Sequence, residues 1–510
     1  MFNKILIANR GEIAARIIRA CRELSIKSVC VFSDVDRKSL HVRLADEAYP
    51  IGPAPSRESY LRIDKLMDVA RRSGCDAVHP GYGFLAENPG LPRACTDAGL
   101  TFIGPPADAM EALGSKTAAR QLARRADVPI VPGTNDPIEN LAEAQALAAS
   151  MGYPVLLKAV AGGGGKGMRV VHSGAEFESL FRDASSEAMN AFGDDRVYLE
   201  KYLERPHHIE IQIFADAHGR VVSLGERECS VQRRHQKVIE ESPSPLVTPD
   251  LRRKMGEAAV RLARAGGYVN AGTVEFLVDA YLNFYFLEVN ARLQVEHPVT
   301  EQVTGLDLVK LQIAIAAGHR LPFAWETITP RGHAMEVRMY AEDPDNNFFP
   351  SPGKILSRHA PTGPGIRLDE GVYEGWTVPN DYDPLLSKLI AWGNSREEAI
   401  ARLRRALEEY TITGIKTNVS LFRRVLSEPD FLRGEIHTKW LDELLQRPSS
   451  AAADSNDIRP TDSLDDAAAI AAAIWYAEQA ASPASYAGAT SATPSRWKLE
   501  GRRQQLDRMP

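Results

Sequence analysis

Near the amino terminus, apolar residues switch between two incompatible spacings. Lys4–Ala8 reads as a short buried strand, Ile13, Ile17, Cys21 and Leu24 recur at near-helical spacing, and Ser28–Phe32 reads as a second strand. A further strand ends near Val78 and runs into His79-Pro80-Gly81-Tyr82-Gly83. This β-α-β-α succession predicts a parallel sheet with helices on its faces, hence an α/β fold. Ligands of such sheets gather beyond the carboxyl ends of the strands, where Asn9-Arg10-Gly11-Glu12 and the His79–Gly83 loop both fall. The two segments read equally well as substrate contacts or as tight turns.

The 510 residues are too many for one ordinary core, and three or four units are expected. From about 116 to 200 a small separate unit follows the first, with helices over 116–126 and 139–151 and strands over 155–159 and 168–171. The section from about 205 to 320 is rich in strands and then helical, and 331–447 is again α+β. After Gln446 the composition shifts to Ala, Ser, Asp and Pro, which marks 448–510 as a low-complexity tail with one alanine-rich helix over 467–479.

A net charge of −6 supplies no general field for nucleic acid. No apolar stretch reaches membrane-spanning length, and the run Ile5–Ala8 is too short for the core of a signal peptide. The five cysteines, Cys21, Cys30, Cys75, Cys95 and Cys229, show no CxxC spacing. Neither a disulfide framework nor a zinc site is expected, and the setting is read as reducing and cytoplasmic.

Gly162-Gly163-Gly164-Gly165-Lys166-Gly167 lies between two apolar segments. Without side chains, backbone N–H groups approach phosphate closely, and Lys166 adds positive charge. It is not a Walker A loop, because Val160 stands where the first glycine belongs and Gly167 where Ser or Thr does. A glycine hairpin that closes over a nucleotide fits the run better than a plain linker.

Thr273–Leu277 and Phe284–Asn290 read as two strands with a short connection. Strict alternation puts Glu288 and Asn290 on one face with Phe284 and Phe286, where a carboxylate needs a cation. If Glu275 faces them, three oxygen-bearing side chains make a site for a hard cation such as Mg2+, which bridges carboxylates to nucleotide phosphates. Arg292, Gln294 and Glu296 then supply a guanidinium, an amide and a carboxylate within five residues. Arginine suits bidentate capture of a planar oxyanion such as bicarbonate, and a neighbouring carboxylate can take its proton. Arg233-Arg234-His235-Gln236-Lys237 reads as one cationic cluster, useful where phosphate charge develops.

Several blocks extend these features: ILIANRGEIAARIIRACRE at the start, HPGYGFLAEN from His79, KAVAGGGGKGMRVV from Lys158 and EKYLERPHHIEIQ from Glu200. RECSVQRRHQKVIEESPSP from Arg227, EVNARLQVEHPVTE from Glu288 and RMYAEDP from Arg338 continue the series. In order and spacing, residues 1 to 447 resemble the biotin carboxylase family of the ATP-grasp superfamily. The resemblance implies a Rossmann-like domain over 1–115, an ATP-grasp domain over 116–330 with a small mobile lid at about 130–204, and a C-terminal α+β domain over 331–447. It assigns Lys116 and Lys158 to the ATP phosphates, Gly164 and Gly165 to the lid, and Glu200, Lys201 and Leu203 to the adenine, with His208 and His235 near the nucleotide. It assigns Glu275, Glu288 and Asn290 to Mg2+ (or Mn2+), and Lys237, Arg292, Gln294 and Val295 to bicarbonate. Glu296 matches the general base and Arg338 the residue that steadies the biotin enolate.

The implied reaction is ATP-dependent carboxylation of biotin through carboxyphosphate. One residue looks inserted at Ala280–Asn283, and Tyr340 stands where the family often has Asn, a feature that resembles carboxylases of acyl-CoA substrates. A biotin acceptor sequence such as Met-Lys-Met is not found, so the biotin carboxyl carrier protein and the carboxyltransferase are expected on separate chains. The resemblance also implies a homodimer. The expected context is an acetyl-CoA or other acyl-CoA carboxylase, as in fatty acid biosynthesis; the alternatives are a pyruvate or other 2-oxo acid carboxylase, an ATP-grasp ligase for another carboxylate, or a catalytically silent scaffold. Residues 448–510, whose segment 495–503 mixes Trp497 with clustered charge, are a candidate partner-docking segment.

Overall fold

A computed structural model describes residues 1–134, 137–138, 140–160, 168–323 and 328–447, without the side chains of Lys116, Thr117 and Phe192. The expected glycine hairpin and tail lie outside the described residues.

Five parallel strands form the first sheet, in the order Glu47–Gly52, Lys27–Ser33, Lys4–Ile7, Ala77–His79 and Thr101–Phe102. Helix Gly11–Glu23 buries Ile13, Ile17 and Cys21 in a core shared with Ile5 and Ile7. The strand order reverses at Lys4–Ile7, which makes the crevice beside Ala77–His79 the switch point. There the two loops engage each other: Asn9 Nδ2 donates to the carbonyls of Pro80 at 2.6 Å and Tyr82 at 2.8 Å. Arg10 donates to both oxygens of Asp36 and lies over the Tyr382 ring at 4.2 Å. These bonds fasten Asn9 and Arg10 to the surrounding loops.

The second sheet has eight strands, in the order Phe284–Asn290, Asn270–Val278, His207–Ala215, Val221–Arg233, Gln236–Ser242, His333–Tyr340, Leu385–Gly393 and Ile366–Glu370, with antiparallel pairing throughout. It runs unbroken into the C-terminal section because Ile239 pairs with Val337. Alternation decides its faces. Ile209, Ile211 and Ile213 pack into a core with Leu251, Met255 and Leu262 of helix Pro249–Ala265. The intervening His208, Glu210 and Gln212 are buried on the other face.

A small antiparallel sheet, in the order Met168–Val171, Val155–Ala159 and Val197–Lys201, is backed by helices Leu141–Met151 and Phe177–Phe192 around Ala148, Leu157 and Phe177. The whole is a mixed α/β fold with an N-terminal parallel sheet, a large antiparallel sheet and a C-terminal section. All five cysteines are buried and unpaired. Among the described residues, no helix is long and apolar enough to cross a membrane.

Candidate active site

Strands Asn270–Val278 and Phe284–Asn290 pair with Glu275 opposite Glu288 and Phe276 opposite Phe286. Leu287 is therefore an extra residue, a β-bulge, and it reverses side-chain parity. Phe284 and Phe286 join the apolar core with Phe276, whereas Glu288 and Asn290 share the face of Glu275. This corrects the expectation that the acids and the phenylalanines lie on one face, because strict alternation does not survive a bulge.

The cross-strand register then continues: Glu288 opposes Glu275, Glu275 opposes Glu210, and Glu210 opposes Arg227. Like charges placed opposite one another are destabilising, so a row of three acids needs a cation. Lys237 supplies it. Its Nζ donates to Glu210 Oε2 at 2.7 Å, Glu275 Oε1 at 2.8 Å and Glu296 Oε1 at 2.8 Å. Each of those acids has a second partner: Arg227 on Glu210, His208 Nε2 on Glu275 Oε2 at 2.8 Å, and Arg338 Nη2 on Glu296 Oε2 at 3.0 Å. Gln232 Nε2 donates to His208 Nδ1 at 2.6 Å, which leaves Nε2 as the hydrogen-bearing nitrogen that faces Glu275.

Burial alone would raise the proton affinity of Glu296, but Lys237, Arg338 and Arg227 outweigh it and hold the carboxyl well below the usual range. Lys237 and His208 do the same for Glu275. Burial works against the Lys237 ammonium, and the surrounding acids reverse that too. Glu240, which accepts from Arg338 Nε at 2.7 Å, is instead pushed up to about 7 by burial.

Arg292 is fixed on three sides at 3.0 Å each: Nη2 donates to Asn290 Oδ1, Nη1 to Gln294 Oε1 and Nε to Glu87 Oε2. Asn290 Nδ2 donates to Glu275 Oε1 at 2.8 Å, and Gln294 Nε2 reaches the same oxygen at 3.5 Å. Arg292 and Glu296 therefore belong to one network, joined through Gln294, Glu275 and Lys237. Val295 enters through its backbone carbonyl, which accepts from Lys388 Nζ at 2.7 Å.

The run 233–237 is not one cationic cluster, a second correction. Arg234 and His235, with φ of 50° and 67°, make the exposed turn between the strands Val221–Arg233 and Gln236–Ser242. Arg233 pairs with Glu342 and lies over Phe348, and Lys237 alone of the five reaches the acids. The hairpin separates what the sequence places side by side.

On the small sheet, Lys158 Nζ donates to Glu200 Oε2 at 2.9 Å, and Arg120 holds the other oxygen. Burial opposes the Lys158 ammonium, but Glu200 prevails and raises its proton affinity. Lys201 Nζ turns to the carbonyl of Gly152 at 2.8 Å, and Leu203 is half-buried. Lys116 begins helix Lys116–Arg125, but its side chain, like Gly164 and Gly165, lies outside the described residues. Sequence reasoning missed Glu87, Arg120, Glu210, Arg227, Glu240 and Lys388. For Glu210 a signal existed: in His208-Ile209-Glu210-Ile211-Gln212, polar groups alternate with isoleucine.

A large antiparallel sheet carries the carboxylate row and a small antiparallel unit carries half-buried Lys158 paired with buried Glu200, which is the arrangement of the ATP-grasp fold. The family profile for the biotin carboxylase N-terminal domain matches residues 1–110, that for the carbamoyl-phosphate synthase L chain ATP-binding domain 115–324, and that for the biotin carboxylase C-terminal domain 336–443. Biotin carboxylase of Halalkalibacterium halodurans is 52% identical over 446 residues, 88% of this chain and 98% of its own. A pyruvate carboxylase chain of Methanothermobacter thermautotrophicus is 54% identical over 446 residues, 87% of this chain and 90% of its own. The crystal structure of the biotin carboxylase domain dimer of Hydrogenobacter thermophilus 2-oxoglutarate carboxylase, with MgADP, ADP and bicarbonate, matches with a TM-score of 0.81 at 45% identity, over 88% of this chain and 100% of its own. The chain belongs to the biotin carboxylase family.

Proposed function

We propose that this chain uses ATP and bicarbonate to carboxylate biotin on a separate carrier protein, as the first half-reaction of an acetyl-CoA or other acyl-CoA carboxylase. The observation that carries the reading is the Lys237 ammonium among Glu210, Glu275 and Glu296, with Glu296 continuing to Arg338. It is a largely buried, preorganised charge array of the kind that anion activation requires.

In this reading Lys237, Arg292, Gln294 and Val295 bind bicarbonate, and Glu296 takes its proton. Glu296 is ionised at rest, but its cations make it a weak base. An anion that draws Lys237 toward itself strengthens the base when the proton has to move. The resulting dianion attacks the ATP γ-phosphate to give carboxyphosphate and ADP. Carboxyphosphate releases CO2 and phosphate, and the phosphate takes the ureido proton of biotin before that nitrogen attacks CO2. Lys116, Lys158 and the Gly164–Gly165 lid hold the ATP phosphates, Glu200, Lys201, Leu203, His208 and His235 flank the rest of the nucleotide, and Arg338 steadies the biotin enolate. Glu275, Glu288 and Asn290 present hard oxygen donors on one face, and Glu275 is held ionised, so the set fits Mg2+ or Mn2+, which when bound neutralises phosphate charge.

Two of the similar proteins are named for pyruvate and 2-oxoglutarate carboxylation, and this supports a second reading, a component of a 2-oxo acid carboxylase. Carboxyl transfer assays with the co-purified partner chains, offering acetyl-CoA, propionyl-CoA and pyruvate, decide between the two. We also read 1–115, 116–330 with a closing unit at 130–204, and 331–447 as the enzyme's sections, working as a homodimer, with 448–510 docking a partner. Unchanged holoenzyme assembly after deletion of 450–510 would exclude the docking role. The main reading is tested by bicarbonate-dependent ATP cleavage stimulated by free biotin; a purified chain that cleaves ATP without regard to either compound overturns it.

A further inference from the structure

Lys388 has no part in the chemistry above, yet its side chain is fully buried, and lysines are almost never so unless paired. It stands on strand Leu385–Gly393, opposite Arg338 on one neighbouring strand and Asp369 on the other. Its Nζ donates to the Val295 carbonyl at 2.7 Å and lies 3.3 Å from Glu12 Oε1. Glu12 lies in the first turn of the helix that follows the first parallel strand, and both its carboxylate oxygens are buried without a well-directed hydrogen bond. The ammonium therefore supports, from behind, the segment that carries Gln294 and Glu296, while its counter-charge comes from the amino-terminal helix Gly11–Glu23. Glu336, Asp369 and Arg367 complete the charges facing it, and Tyr82 lies with its ring centre 5.8 Å away.

We propose that Lys388 is a positioning residue of the bicarbonate site: its bond to the Val295 carbonyl fixes the Gln294–Glu296 backbone, and Glu12 holds the ammonium at that carbonyl. The inference rests on the bicarbonate reading of Lys237, Arg292, Gln294 and Val295. A backbone carbonyl held by a charged donor cannot drift, so the side chains on either side keep their spacing for a small anion. A merely structural Lys388 would affect stability alone.

The test uses the full-length chain with Lys388→Met and with the double change Glu12→Gln, Lys388→Met, in which Glu12 is not left as a buried charge without its lysine. KM values for bicarbonate and for ATP are taken from bicarbonate-dependent ATP cleavage, beside the thermal midpoint. Loss of the charged hydrogen bond is expected to raise the bicarbonate KM about tenfold. The ATP KM should stay within about twofold, because uniform loss of binding is not involved. The double variant should regain thermal stability and keep the raised bicarbonate KM. A double variant with the wild-type bicarbonate KM, or one in which both KM values rise together, overturns the proposal. So does failure of both variants to fold, which would make Lys388 a stability element. If the unaltered chain shows no bicarbonate-dependent cleavage, the bicarbonate reading itself falls, and that outcome is visible before any variant is made.

Discussion

Arg338 donates from Nη2 to Glu296 Oε2 at 3.0 Å, with both side chains buried and Glu240 Oε1 against Nε and the same Nη2 of the guanidinium. The residue proposed to steady biotin therefore also sets the proton affinity of the residue proposed to activate bicarbonate. The two halves of the reaction share one electrostatic element, so a change made for one is felt in the other.

Arg338→Ala removes one of the cations that hold the Glu296 carboxyl down. Its proton affinity must then rise, and a base with a higher pKa loses activity at a higher pH. The acid limb of bicarbonate-dependent ATP cleavage, measured without biotin, should move up by about one pH unit or more. An unmoved limb would separate the two residues functionally.

Glu296→Ala removes the proposed base and leaves Lys158 and Glu200 untouched. Biotin carboxylation should fall by about 10²–10⁴-fold, the usual worth of a positioned base. Calorimetric ADP affinity should stay within about twofold of the unaltered chain, since the nucleotide-side pair lies on a different sheet. A variant that keeps its carboxylation rate ends the role assigned to Glu296.

Lys237→Met removes the cation shared by three buried acids, each of which keeps one other partner, and breaking a buried ion pair by removing one partner costs about 3–5 kcal/mol. The sign of its pH dependence follows from Glu275 and Glu296, whose folded pKa values lie below their ordinary ones. In the unaltered chain their contribution is full above the ordinary glutamate range and is lost as pH falls through the depressed folded values. In the variant the same acids prefer to be protonated. The gap in urea midpoint between the two proteins should thus be widest near pH 7 and narrow toward pH 5. A gap independent of pH would mean that packing, not charge, is what Lys237 provides.

Much of this site was legible because its signals are local. Val155–Ala159 and Met168–Val171 are apolar runs bounded by turn residues, and both strands lie where the pattern puts them. Glu275, Glu288 and Asn290 do share a face, but the accompanying phenylalanines do not, since the bulge at Leu287 carries no glycine or proline to announce it. Charge density along the chain also misled at 233–237, because a two-residue turn sends neighbours to different surroundings. Arg227 and Lys388 were invisible for another reason: their partners, Thr273, Thr300 and Val295, come from distant segments that only the sheet brings together.

Glu288 and Glu275 are cross-strand partners, yet Glu275 already accepts from Lys237 and His208, whereas the proposed cation site needs charge from both strands. Glu288→Gln keeps the shape of the side chain and removes one negative charge from that face. The Mg2+ concentration for half-maximal ATP cleavage should rise by at least the roughly 10–100-fold seen when even outer-shell partners of metal sites are changed. If the metal titration of Glu288→Gln overlays that of the unaltered chain, the ion is held elsewhere, and His208, Glu210 and Glu275, whose ligand atoms lie within 4.8 Å of one another, become the set to change next.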